Sequence, residues 1–206
     1  MKTDSIRRAV RFMGLVLPLT WAPRIVVAQG TATCSSYGVG VTTATVNQLL
    51  ASAVVAAGEL MAQDQAGDVA VPGLVTAQNV FAIANGGGDD GSDAVSSATL
   101  GAVNILNGLI TADGVVAMAT STVGDANAQG SSLAHLVVNG VDVDDNPAPN
   151  TRMDLDGVGY VVFNEQIRTS TGITVNMIHV VLQEKVLGVT RTTGHIRVGS
   201  ASAKVS

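Results

Sequence analysis

Three histidines, one cysteine and several knots of aspartate are the side chains of this 206-residue chain whose types suggest chemistry. His179 lies in a run, 173–182, where period-two alternation puts it on one face with Val175, Met177 and Val181. It reads as a core histidine whose ring nitrogens find backbone or Asn/Glu partners. His195 shares a face with Arg197, opposite Ile196 and Val198, and reads as exposed; the alternation around His135 assigns it to neither face. No histidine has a Cys, Asp or Glu at ligand spacing on its own element, so a zinc site is not indicated and the three are not expected to act together. A serine in a nucleophile elbow and a phosphate loop are both missing.

The aspartates suggest calcium, which takes loop carboxylates together with Asn and backbone carbonyls. Asp142, Asp144, Asp145 and Asn146 crowd a loop entrance, Asp154 and Asp156-Gly157 follow it, and Asp89, Asp90 and Asp93 lie in a glycine-rich stretch, 86–93. None completes a calcium-loop pattern, since the Asp154 group lacks a spaced third ligand and a distant Glu. A glycosidase pair would need a sugar cleft, usually walled by aromatics, and residues 29–206 offer only Tyr37, Phe81, Tyr160 and Phe163. The expectation is a protein without catalytic activity and without a cofactor, with calcium as the one candidate ion.

The elements that carry these groups read as strands. Residues 73–84 recur 35 positions later as 108–119, with seven of twelve identical, and each copy reads as strand, two-residue turn, strand, turning at Gln78-Asn79 and Asp113-Gly114. Asn139-Gly140 between 133–138 and 141–143 is a strong hairpin signal. A polar loop, 144–150, contains Pro147 and Pro149, which forbid regular pairing. A second hairpin is expected from 158–167 and 173–182, joined by 168–172, and a final strand over 194–200. In 45–61 the spacing of Val46, Leu49, Leu50, Ala53, Val54, Ala57, Leu60 and Met61 alone favours an amphipathic helix.

Charge and hydropathy place the chain outside the cytoplasm. Residues 1–28 have a basic start (Lys2, Arg7, Arg8, Arg11), an apolar run and small residues at Val26 and Ala28, the layout of a cleaved export signal. Removing them takes five of 11 cations and one of 16 acids, leaving 6 − 15 = −9. No Lys or Arg occurs from Gln29 to Thr151, against 11 acids there. Nucleic acid is a disfavoured partner of such a surface. The apolar run is about half the ~20 residues a spanning helix needs, so no transmembrane span is expected in the mature chain. Cys34 is alone, which rules out an internal disulfide, and near the new N-terminus it reads as a weakly held thiol or an intermolecular bridge.

The chain resembles the choice-of-anchor P proteins, exported bacterial proteins with homologous bodies and different surface-attachment signals. The resemblance is carried by 107–112, Pro149-Asn150-Thr151 through Leu155, and Gly157-Val158-Gly159. It continues in Val162-Phe163-Asn164-Glu165-Gln166, Val175-Asn176-Met177-Ile178-His179-Val180 and Val198-Gly199-Ser200-Ala201, covering roughly residues 71–201. It implies a secreted or surface-associated protein with no established reaction. It also implies that Asn164, Glu165, Gln166, Asn176 and His179, which sit in the family motifs, form a structural polar network holding the second hairpin. Members often carry a histidine shortly after the final Ser-Ala, where this chain has Ser202. With no sorting motif or apolar tail before Ser206, the expectation is a freely secreted, periplasmic or non-covalently held protein. The same likeness favours a strand for 45–61.

Together these readings give one all-β domain over 29–206, mainly an antiparallel β-sandwich, with a β-solenoid-like N-terminal part as the alternative. The expected role is a secreted or cell-surface interaction module, binding other surface proteins or itself through sheet edges and polar loops. A calcium-dependent or carbohydrate-binding module is the alternative.

Overall fold

The computed structural model describes residues 31–87 and 92–206, and every strand pairing in it is antiparallel. The strands are β1 (Ala32–Thr43), β2 (Asn47–Val55), β3 (Met61–Val71), β4 (Val75–Asn85), β5 (Asp93–Leu100), β6 (Val103–Ile105), β7 (Ile110–Ala112) and β8 (Gly114–Thr122). They continue as β9 (Asp125–Asn127), β10 (Ser132–Ala134), β11 (Val137–Val138), β12 (Val141–Asp142), β13 (Thr151–Leu155), β14 (Gly159–Arg168), β15 (Gly172–Val186) and β16 (Val189–Val205). A six-stranded sheet in the order β13-β14-β15-β16-β1-β2 packs on a ten-stranded one in which β10-β8-β5-β4-β6-β7-β11-β12 is the main path. The fold is a β-sandwich, as the many short strands and tight turns imply. Among the described residues no helix is long and apolar enough to cross a membrane.

The core lies between the sheets, and both supply large and small side chains to it, Leu100, Ile105 and Ile110 on one side and Ala53, Ala201 and Ala203 on the other. The ten-stranded sheet also contributes Ala77, Ala82, Ala84, Ala98, Ala117 and Ala119, and Phe163, Ile178, Val180, Ile196 and Val198 of the other sheet add bulk. Small side chains let two sheets approach closely. Three buried serines join the sheets directly: Ser36 Oγ donates to Ile83 O at 2.9 Å, Ser96 Oγ to Ser202 O at 3.0 Å and Ser121 Oγ to Thr171 O at 3.1 Å. Cys34 also faces this core from β1, buried, so the expected weakly held thiol is corrected. Burial raises its pKa, partly opposed by backbone groups of Asn85 and Val95.

Both sheets are bent, and the bend governs which way side chains face. In the six-stranded sheet Asn164, Met177, Gly199, Gly38 and Ala51 drop out of pairing in one row, although the register is the same on either side of it. Asn164 (φ 48°), Gly199 (φ 63°) and Ala51 (φ 50°) take the left-handed conformation there. Buried positions on β1 accordingly run Ala32, Cys34, Ser36 and then Val39, Val41. The alternation slips by one residue at the row.

The same device explains the internal repeat and corrects its reading. Neither copy is a hairpin. The first is one continuous strand, β4, kinked at Asn79 (φ 50°); its two halves pair with β6 and β5. The second is β7 followed by β8, broken at Asp113, and its halves pair with the far sides of the same β6 and β5. A residue that tolerates positive φ serves here to bend a strand rather than to reverse it.

Asn139 (φ 53°) and Gly140 (φ 73°) do make the tight turn between β11 and β12, and 159–168 pairs with 173–182. The run 133–138 is interrupted at His135 (φ 51°), and the final strand extends from Val189 to Val205 rather than over 194–200. The segment 45–61 is strand β2 and the start of β3, not helix. The proposed leader, 1–28, lies outside the described residues, as do Asp89 and Asp90.

Candidate functional site

The slipped alternation brings together groups that strict alternation separates. On β15, Ile173 and Val175 face the core before the bend and Ile178 and Val180 after it, which leaves Asn176 and His179 on the same, outer face. Val175 is therefore not on the face of His179, as the period-two reading had it. Glu165 of β14 pairs with Asn176, and its Oε2 accepts hydrogen bonds from Asn176 Nδ2 at 2.6 Å and from His179 Nδ1 at 2.9 Å.

The remaining nitrogen of that ring meets another histidine. His179 Nε2 lies 3.0 Å from His195 Nδ1, with ring centroids 5.2 Å apart and planes inclined at 37°. The expectation that the histidines do not act together is thus overturned for this pair: β15 and β16 are adjacent, and His179 faces Arg197, one diagonal step from His195. With Glu165 ionised and both rings neutral, the proton positions are forced. Glu165 only accepts, so His179 carries its proton on Nδ1; its Nε2 must then accept from His195 Nδ1–H. The lone pair of His195 is left on Nε2.

Electrostatics favour an ionised Glu165 and a neutral His195, with the charge of His179 contributing whenever its ring is protonated. Burial pushes the Glu165 carboxyl up, but hydrogen bonds from His179 and Asn176, with the charges of His179 and Arg197, outweigh it and hold the pKa below the usual value. The pKa of His195 is lowered by burial first, then by the charges of Arg197 and His179, against the opposing pull of Glu165. Both shifts have the same sign for stability: the folded state takes up protons less readily than the unfolded chain, so acidification destabilises it. The urea midpoint should fall between about pH 7.5 and about pH 5.5 and again on going through the carboxylate range. In His195→Gln the first fall should shrink and the second remain; equal first falls in both proteins would remove His195 from the account.

The neighbouring amides form a second network that fixes the preceding loop. Asn164 Nδ2 donates to Pro147 O at 3.1 Å, Gln166 Nε2 to Asn164 Oδ1 at 3.1 Å, and Gln166 N to Asn150 Oδ1 at 2.8 Å. Asn176 Oδ1 is left as a buried acceptor without a partner.

The aspartates expected to bind calcium are engaged separately. Asp145 Oδ1 accepts from Leu136 N at 2.8 Å; that bond and one from the backbone of His135 lower its pKa. Asp144 Oδ1 accepts from Asn146 N at 2.9 Å, and Asp154 pairs at 3.0 Å with Arg152, whose guanidinium lies over the Tyr160 ring. Asp142 and Asp113 flank exposed His135, Asp156 sits in the turn after β13, and Asp93 begins β5. Among the described residues no three His, Cys, Asp or Glu side chains converge as a metal cage.

A second feature lies beside the histidine pair. β14 leaves β15 at Leu182 and β1 leaves β16 at Gly194, so residues 183–193 continue as a two-stranded ribbon beyond the sheet. Its turn, Leu187 (φ 51°) and Gly188 (φ 85°), carries Val186, Leu187 and Val189 into solvent, with Leu187 fully exposed. Sequence patterning missed the ribbon because it extends strands already assigned. No family model, curated protein or solved structure matches the chain.

Proposed function

We propose that this chain is an exported, non-catalytic interaction module, secreted or held at a cell surface, whose partner is a second copy of itself. The projecting ribbon carries the reading. Leu in the first position of this turn costs about 1–2 kcal/mol of backbone strain relative to a residue at ease there, and three apolar side chains stand in water at the tip. Such strain and exposure accompany a contact made elsewhere. The free edges of the ribbon are templates for another strand.

Charge selects the second copy as occupant. The ribbon carries Lys185 and Arg191, with Glu184 across from Arg191, for a net charge of +1, whereas edge strand β3 carries Asp68 and Asp64, the latter accepting from Ser52 N at 2.9 Å, within the long cation-free part of the chain. Ribbon and acidic edge lie on different surfaces of one chain, so the contact is heterologous and propagates unless rotation closes it. The choice-of-anchor P likeness supports an exported body of this kind.

Leu187→Asn separates association from folding. Asn-Gly is the preferred pair for this turn, so the variant should unfold at equal or higher urea concentration than the parent. Sedimentation equilibrium should show the parent associating with rising concentration, less so at high salt, and the variant monomeric. A parent that stays monomeric at high concentration in physiological salt, with no surface partner recovered, would sink the reading.

A further inference from the structure

We infer that His179 and His195 form a two-histidine site for a divalent transition metal, Zn²⁺ or Cu²⁺, with Glu165 as the carboxylate that orients the first ligand. The inference is independent of self-association. It starts from the constellation on the outer face of β14, β15 and β16: Glu165 on His179 Nδ1 at 2.9 Å, and His179 Nε2 facing His195 Nδ1 at 3.0 Å. A histidine whose other nitrogen donates to a carboxylate has its tautomer and ring direction set for coordination through the remaining nitrogen.

The separation of the two nitrogens fits one ion. Bonds of about 2.05 Å to both, across 3.0 Å, subtend about 94° at the metal. That is a cis angle for the tetragonal geometry of Cu²⁺, and widening the gap by about 0.3 Å would reach the tetrahedral angle of Zn²⁺. A single proton now occupies the space between the rings. That proton sits on His195 Nδ1; coordination there moves it to His195 Nε2 and requires the His195 ring to shift and turn about χ2, a torsion that is broad for histidine, while Glu165 keeps His179 in place.

The surroundings set what binds and how tightly. Two imidazoles select transition metals and not Ca²⁺ or Mg²⁺, whose ligands are oxygens. Arg197, directly across from His179, repels a cation, and the Glu165 carboxylate offsets it. His195 is only half-buried, so water completes the coordination from that side. Cys34 faces the core on the other side of the sheet and takes no part.

The test uses the full processed chain without a histidine tag. Calorimetric titration with ZnCl₂, and electron paramagnetic resonance after adding one equivalent of Cu²⁺, should show saturable one-to-one binding with two nitrogen ligands. His195→Gln should abolish it, Glu165→Gln should weaken it 10- to 100-fold, and His135→Gln should leave it unchanged. Circular dichroism and urea melts establish that each variant is folded, and the half-buried position of His195 makes its variant the decisive one. Non-saturable uptake, equal affinity in folded His195→Gln, or loss in His135→Gln would each overturn the assignment.

Discussion

Glu165→Ala should lower the unfolding free energy by about 3 kcal/mol, the value of one to two hydrogen bonds to a charged group. The carboxylate receives two donors, the Asn176 amide and the His179 ring. Neither finds another acceptor where it lies, since Asn176 is 2% exposed and His179 7%. Truncation also removes a side chain that is itself only 18% exposed, which admits some water and keeps the loss from reaching the full penalty of two orphaned donors. Glu165→Gln keeps one acceptor oxygen and loses the charge, so about half the effect is expected. Nitrogen NMR gives a second readout that mere loss of packing would not move. Without the carboxylate, His179 is free to carry its proton on Nε2 and the order of donors along the chain reverses. Destabilisation below about 0.5 kcal/mol, the scale of an ordinary surface change, would mean that the carboxylate is solvated and orders nothing.

What was legible in the residues follows from the range of the signal. Asn139-Gly140 specifies its turn locally, and the two halves of the hairpin 159–182 announce themselves by composition, so both could be read without any partner. Asn79 and Asp113-Gly114 carry the same local signal, yet they bend or break strands because β5 and β6 continue alongside both halves of each copy. Turn chemistry reports that positive φ is tolerated, and register with a third strand decides whether the chain reverses. The histidine pair was hidden for a related reason. Strict alternation from Ile173 to Val181 places His179 with Val175, and only the slip at Met177, imposed by the row from Asn164 to Ala51, puts Asn176 and His179 on one face. The runs 162–166 and 175–180 had singled out Glu165, Asn176 and His179, but His195 lay outside them.

Gly38→Ala should destabilise the fold by about 1–3 kcal/mol, although the substitution adds a single methyl group. A Cβ at Gly38 would overlap Val80 Cγ1, although its 3.4 Å to Val80 Cβ is an ordinary contact. Gly38 sits in the unpaired row of the six-stranded sheet, and Val80 sits beside Asn79 at the kink of the ten-stranded one. The two bends meet at this point, so neither backbone can retreat without disturbing a row of pairs. Val80 is 1% exposed and β-branched, which restricts its χ1 and leaves it little room to swing away. Stiffening the unfolded chain by replacing glycine would favour folding by about 0.4–1 kcal/mol, too little to reverse the sign. A second substitution tests the geometry. Val80→Ala alone should cost about 2 kcal/mol for the cavity it opens. In the double variant the new methyl occupies part of that cavity, so the combined loss should fall short of the sum by at least about 1 kcal/mol. Strict additivity in urea melts would show that the bends do not meet through these two residues, and the coupling between the sheets would have to be sought in the serine bridges instead.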